Sequence, residues 1–140
     1  MAYWLIKTEP SSWSWQDQKM KKVTHWDGVR NYQASNNMKA MKKGDLCFFY
    51  HSVSERRIVG IVQVIREYYP DHTDETGRFG MVDVEYVEGL PIPVSLDQIK
   101  AEPELQNLAL IRQSRLSVMS VDEAAWKIIC QLGGKNVVSY

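Results

Sequence analysis

The chain predicts a mixed α+β fold: a small, strongly bent β-sheet or pseudo-barrel flanked by helices. Three features carry that expectation. Residues 46–52 (LCFFYHS) and 58–69 (IVGIVQVIREYY) are apolar and rich in β-branched and aromatic side chains, and the polar connection VSERR makes them consecutive strands. Residues 81–87 alternate Val82, Val84 and Tyr86 against Asp83 and Glu85, the pattern of a strand with one wet face. Helical spacing is confined to the region between the first two strands and to the C-terminal part, which separates this chain from a regular β-α alternation. With 140 residues, 44% of them hydrophobic, residues 1–140 are expected to form one domain.

Residues 3–9 (YWLIKTE) read as the first strand, with Trp4, Ile6 and Thr8 on one face and Tyr3, Leu5, Lys7 and Glu9 on the other, and Pro10 ends it. Residues 11–22 read as a short helical or turn segment, with Ser14 as its cap and Trp13 or Trp15 turned inward. Residues 29–41 read as a helix with Ala34, Met38 and Met41 on one face, closed by Lys42, Lys43 and Gly44. Gly60, inside the strand 58–69, marks a bulge or a close backbone approach. Residues 70–80 (PDHTDETGRFG) are a loop by composition. Ser95 and Gln98 have capping-box spacing around a short helix that Pro103 breaks. Ser120 and Glu123 repeat that spacing ahead of Val121, Ala124, Ala125, Ile128, Ile129 and Leu132, a final helix ending at Gly133 and Gly134.

The net charge is zero, but it is polarised: residues 1–66 hold eleven basic and five acidic residues, and residues 67–140 hold six and twelve. Nine of the fifteen aromatics fall in the first fifty residues, so basic and aromatic character coincide there. Lys7 interrupts the N-terminal apolar run, and no run approaches the ~18 apolar residues of a membrane helix, so neither a targeting signal nor a membrane partner is expected. Two cysteines make no disulfide framework and fit a reducing, cytoplasmic compartment.

The residues offer little for catalysis. Cys47 and His51 share a strand face, but four residues at ~3.3 Å each hold their backbones about 13 Å apart, too far for a nucleophile and base. His25, His51 and His72 have no metal-ligand spacing, and glycine-rich phosphate loops are absent, so neither a metal nor a cofactor is expected. The composition fits a binding site better. In WDGVRNYQASNNM (Trp26 to Met38) and FFYHS (Phe48 to Ser52), planar rings lie beside guanidinium and amide groups. Those groups suit a nucleobase, whose face stacks and whose edge hydrogen-bonds.

These motifs, with WLIKTEP (4–10), GDLCFFYHS (44–52), IVGIVQV (58–64), YPDHT (69–73) and RQSRLSV (112–118), make the chain resemble the EVE domain family of the PUA-like superfamily along nearly its whole length. The resemblance implies a PUA-like pseudo-barrel and a monomeric reader of modified bases in DNA or RNA, notably modified cytosine, with no enzymatic activity. It points to Lys7, Glu9, Trp26, Arg30, Asn31, Tyr32, Asn37, Tyr50, His51, Ser52, Arg112, Ser114 and Arg115 as contacts to base or nucleic acid. Tyr50 and Ser52 share a strand face and are expected to line a pocket with Trp26, with His51 on the opposite face. Two positions depart from the family pattern: Ser35 stands where an arginine is common, and Phe79 near a frequent tryptophan. Two other readings stay open: an enzyme acting on modified nucleotides through Glu9, His51 or Ser52, and a pocket for a small molecule.

Overall fold

The computed structural model describes residues 1–135, whose elements in chain order are β1 (Tyr3–Thr8), α1 (Trp15–Lys21), β2 (Val23–His25), α2 (Tyr32–Ala40), β3 (Leu46–His51), β4 (Arg57–Pro70), β5 (Gly80–Ser95), α3 (Leu96–Ala101), a 3-10 turn (Pro103–Leu105), α4 (Ala109–Arg112), β6 (Val118–Val121) and α5 (Glu123–Leu132). The strands form one mixed sheet in the order β2-β5-β4-β3-β1-β6. The pairs β3-β4 and β4-β5 are antiparallel. β1 lies parallel to β3, after a crossover that carries α1, β2 and α2. This is the mixed α+β architecture that the sequence predicts.

β3 is buried along its whole length. It is central in the sheet and covered on both faces, which explains why its sequence is a continuous apolar run instead of an alternation. The bend comes from β4 and β5, whose register shifts four times, between Ile58 and Gly60, Ile61 and Val62, Val64 and Arg66, and Arg66 and Tyr69. Each shift leaves an unequal number of residues on the two strands, which kinks and twists the ladder. Gly60 combines both sequence expectations. It sits at one of these shifts, and a Cβ there would lie 2.0 Å from the Trp15 indole.

Trp15 is also what holds α1 on the sheet. Its ring is tilted against Phe49 and Tyr86, with centroids 4.9 and 5.0 Å away, and its backbone N–H donates to His51 Nε2 at 2.9 Å. Ser14 caps the helix in a reciprocal box with Asp17. At the other end of the chain, Trp126 of α5 stacks between Tyr3 (4.5 Å) and Phe48 (3.8 Å).

Several boundaries differ from the sequence reading, β5 running on to Ser95 among them. α2 starts at Tyr32, because Asn31 is its cap and accepts from the Ala34 N–H at 2.9 Å, while Gly28 (φ +78°) keeps the preceding segment out of the helix. Residues 118–121 form a strand, and the cap of α5 is Asp122, not Ser120: β1 has an open edge, and pairing with Val118–Val121 fills it. β2, whose three residues are too few to show a period, pairs with Asp83, Val84 and Glu85 of β5. Cys47 and Cys130 are both free and buried, and among the described residues no helix is long and apolar enough to cross a membrane.

Gly60→Ala should destabilise the fold by about 1–3 kcal/mol, because the added methyl must displace an indole packed against Phe49 and Tyr86. Denaturant unfolding of the variant checks this, and the simultaneous change Trp15→Leu should recover part of the loss.

Candidate functional site

A cavity of about 610 Å³ opens where the C-terminal end of β1, the end of α1, β2 and the segment 26–31 meet. Its wall includes Lys7, Thr8, Trp13, Lys21, Thr24, His25, Trp26, Arg30, Asn31 and His72. Asp27 is the one acidic residue in that wall among the described residues. The cavity therefore combines two indoles with a surplus of cationic groups. Lys21 lies 5.7 Å from the Trp13 ring centroid, so one cation and one aromatic face already form a pair at the mouth.

Asp71, in the loop after β4, fixes the segment that forms this wall. One carboxylate oxygen accepts from the Gly28 N–H (2.8 Å) and from an Arg30 guanidinium N–H (3.0 Å). The other accepts from the backbone N–H (2.7 Å) and the hydroxyl (2.6 Å) of Thr73. Arg30 closes the triangle by donating to Thr73 Oγ1 at 2.9 Å. Burial by itself would raise the Asp71 pKa, but the hydrogen bonds from Thr73, Gly28 and Arg30 outweigh it and hold the carboxyl well below the usual carboxylate range. Phe79, from the end of the same loop, sits under this corner, 5.7 Å from the Arg30 guanidinium and 5.0 Å from the Tyr32 ring.

A second polar group forms the side of the cavity near β2. His25 Nδ1 is 2.8 Å from Asp83 Oδ1, and Tyr69 donates its phenol to the same oxygen. With the phenol proton given to Asp83, His25 must supply its own hydrogen from Nδ1. Burial and the neighbouring Asp83 push the Tyr69 phenol up to about 12. His72 meets His25 edge-on at 5.9 Å, so two imidazoles stand together in the wall.

The structure brings Lys7, Trp26, Arg30 and Asn31 together at the cavity and sends the other predicted residues elsewhere. Trp26 is only 7% exposed and meets Phe49 edge-on at 5.5 Å, so it is a core residue with one edge in the wall. Tyr50 and Ser52 do not line the cavity, which corrects the expectation that they share a pocket with Trp26. Lys7, the partner of Tyr50 across the β1-β3 ladder, extends over the Tyr50 ring at 5.7 Å and covers it. Ser52 begins the turn after β3, where its N–H donates to the Thr8 carbonyl at 2.9 Å.

His51 is also spent on the fold, since Nε2 accepts from the Trp15 N–H and Nδ1 pairs with Glu55 at 2.9 Å. Asn37 donates to the Val118 carbonyl at 2.8 Å and ties α2 to β6. Glu9 is exposed at the end of β1, where its carbonyl accepts from the Ser12 and Trp13 N–H groups. Tyr32 is 60% exposed beside Phe79, outside the cavity wall. Arg112, Ser114 and Arg115 line a different cavity. The two positions that depart from the family pattern have defined places: Ser35 is buried with its hydroxyl 2.8 Å from Tyr68, and Phe79 is the ring under Arg30.

Trp13, Lys21, His25, Asp71 and His72 were missed. YPDHT contains both Asp71 and His72; it is one of the motifs of the family resemblance, but its composition signals only a loop.

Chemically, the wall can stack a planar ligand, donate to its edge and neutralise an anion. Among the described residues, no three His, Cys, Asp or Glu side chains gather as metal ligands. Cys47 lies in the core, and burial pushes its thiol far up. The EVE domain family matches residues 2–132. The chain belongs to this family.

Thymocyte nuclear protein 1 of Rattus norvegicus is 34% identical over 164 residues, covering 93% of this chain and 73% of that protein. A crystal structure of an Agrobacterium tumefaciens protein is 46% identical with a TM-score of 0.93 and covers 96% of this chain and 94% of that one. Human thymocyte nuclear protein 1, solved in complex with DNA containing 5-methylcytosine, is 31% identical with a TM-score of 0.90, covering 98% of this chain and all 100% of that one. An ASCH protein from Zymomonas mobilis, at 11% identity and a TM-score of 0.58, shares the fold alone.

The depressed Asp71 pKa has a definite sign for stability. An unfolded aspartate titrates near 4, so the Asp71 contribution is fully present above about pH 4 and is lost as the pH falls below that toward the lower folded value. Asp71→Asn should therefore cost about 1–3 kcal/mol at pH 7 and flatten the loss of stability below about pH 4. Urea unfolding of both proteins between pH 2 and 7, values chosen to bracket that carboxylate range, measures this.

Proposed function

We propose that this EVE domain binds nucleic acid and receives one extruded or single-stranded base, modified cytosine in DNA foremost, in the cavity beside the Gly28 segment. The observation that carries this reading is the human relative: it shares the fold along its whole length with this chain and was solved with 5-methylcytosine-containing DNA. The wall suits such a ligand. Trp13, half-buried and in the wall, offers a ring face, while Lys7, Lys21 and the Arg30 corner supply positive charge next to it. The volume of about 610 Å³ falls within the range of small-ligand sites.

The proposed role is recognition without reaction. Of the residues in the enzymatic alternative, His51 has both ring nitrogens engaged by Trp15 and Glu55, and Ser52 lies outside the wall. A base engaged on both sides cannot take a proton from a nucleophile without breaking the contacts that hold α1. A turnover assay with 5-methylcytidine and its nucleotide should give back the substrate unchanged.

Selectivity should be graded. A methyl that fills an apolar niche contributes about 1–3 kcal/mol, so an oligonucleotide with 5-methylcytosine should bind roughly tenfold to a few hundredfold more tightly than plain cytosine at fixed salt. Single-stranded or mismatched contexts should bind best, because extruding the base then costs less. Affinity should fall with salt by the same slope for both oligonucleotides, whereas a neutral small-molecule ligand would be indifferent to salt. Equal affinity for both would remove the base-reading proposal.

The two indoles should separate in mutagenesis. Trp13→Ala should weaken oligonucleotide binding by about 1–3 kcal/mol. Trp26→Ala should lower stability by about 3–5 kcal/mol, because it empties a core site. Fluorescence anisotropy and thermal unfolding of the two variants read these effects separately.

A further inference from the structure

A second cavity, of about 370 Å³, has a wall that includes Asn31, Gln33, Arg112, Ser114 and Arg115. The two cavities adjoin. Asn31 lines both, and Lys7, in the wall of the first, donates from its ammonium to the Ser114 carbonyl in the wall of the second at 3.0 Å.

The chemistry of the two walls differs. The first is built on indoles and imidazoles; the second contains no aromatic and no acidic residue among the described residues. A base has nothing to stack on there. What the second wall offers is guanidinium and amide N–H groups, which suit the oxygens of a phosphate diester.

Its two arginines have different tasks. Arg112 is engaged in the fold, donating from Nε to the Gln106 carbonyl (3.0 Å) and from a terminal nitrogen to Asn107 (3.4 Å). Arg115 is exposed, and among the described residues its guanidinium makes no hydrogen bond or ion pair. It stands on an ordered turn: the next residue, Leu116, is buried, and the Leu116 N–H donates to the Gln113 carbonyl at 3.0 Å. Asn31 is likewise half-used, since its side-chain carbonyl caps α2 while its NH₂ group stays available.

We propose that the second cavity is a phosphate seat for the strand whose base enters the first, with Arg115 as its cation and the Asn31 amide at the junction. It rests on the base-reading proposal for the first cavity and adds a division of labour: one cavity takes the base, and the other takes a flanking phosphate and is indifferent to sequence and modification.

The test compares wild type, Arg115→Gln, Arg115→Lys and Lys127→Gln, the last on α5 and outside both cavities. Each is titrated over a range of salt with a 5-methylcytosine oligonucleotide, its unmodified counterpart and the free nucleoside 5-methylcytidine, which has no phosphate. Arg115→Gln should lose about three- to tenfold in affinity for both oligonucleotides at low salt and reduce the salt slope by about 0.7–0.9, one phosphate contact. The preference for the modified oligonucleotide and the affinity for the nucleoside should not change. Arg115→Lys should restore the slope, Lys127→Gln should behave as wild type, and unchanged thermal unfolding shows that Arg115→Gln is folded.

A wild-type salt slope in Arg115→Gln overturns the phosphate seat, as does an equal loss of affinity for the nucleoside. Should wild type show no preference for the modified oligonucleotide while Arg115→Gln still reduces the slope, the base-reading proposal fails and the phosphate contact stands.

Discussion

The cavity depends on one buried carboxylate. Asp71 takes four hydrogen bonds, from Gly28, Arg30 and twice from Thr73, and by doing so joins two segments of chain far apart in sequence. A carboxylate removed from water needs donors on both oxygens; Thr73 serves one from the same loop, and the segment that must stay non-helical ahead of α2 serves the other. Satisfying Asp71 and shaping the wall are thus the same event. Gly28, at φ +78°, supplies both an N–H and a left-handed backbone at that point.

A second constraint works through the sheet. The register shifts of β4 and β5 bend it, and the bend makes room for Trp15 over Gly60. With Trp15 seated, the 9–14 connection is carried over the end of β1, and Trp13 comes to the cavity mouth. A core contact therefore positions an aromatic of the candidate site, although Trp15 itself is not in the wall.

Polar side chains near the site divide between holding the fold and remaining available. His51, Asn37 and Arg112 have the right chemistry for nucleic acid, but their donors and acceptors are consumed by Trp15 and Glu55, by Val118, and by Gln106 and Asn107. Lys21 and Arg115 are the opposite case, exposed cations on the rims of adjoining cavities. Nothing in residue type distinguishes the two groups. What distinguishes them is whether a carbonyl or carboxylate of another element lies within reach.

Elements whose signals are local were legible in the amino-acid sequence. The capping serines Ser14 and Ser95, the apolar face of Ala34, Met38 and Met41, the continuous run of β3 and the special role of Gly60 follow from propensity, period and sterics within a few residues. The ordered motifs placed the chain in its family, and residues 26–31 of the WDGVRNY segment line the cavity. Tertiary structure alone decided the rest. Val118–Val121 became a strand because β1 had an open edge, and Tyr50 was covered because the β1-β3 register puts Lys7 over it. His25, Asp71 and His72 entered the site through pairings across more than forty residues. Such contacts leave no periodic trace, because a hydrogen bond between distant segments constrains two single positions and not the spacing around either.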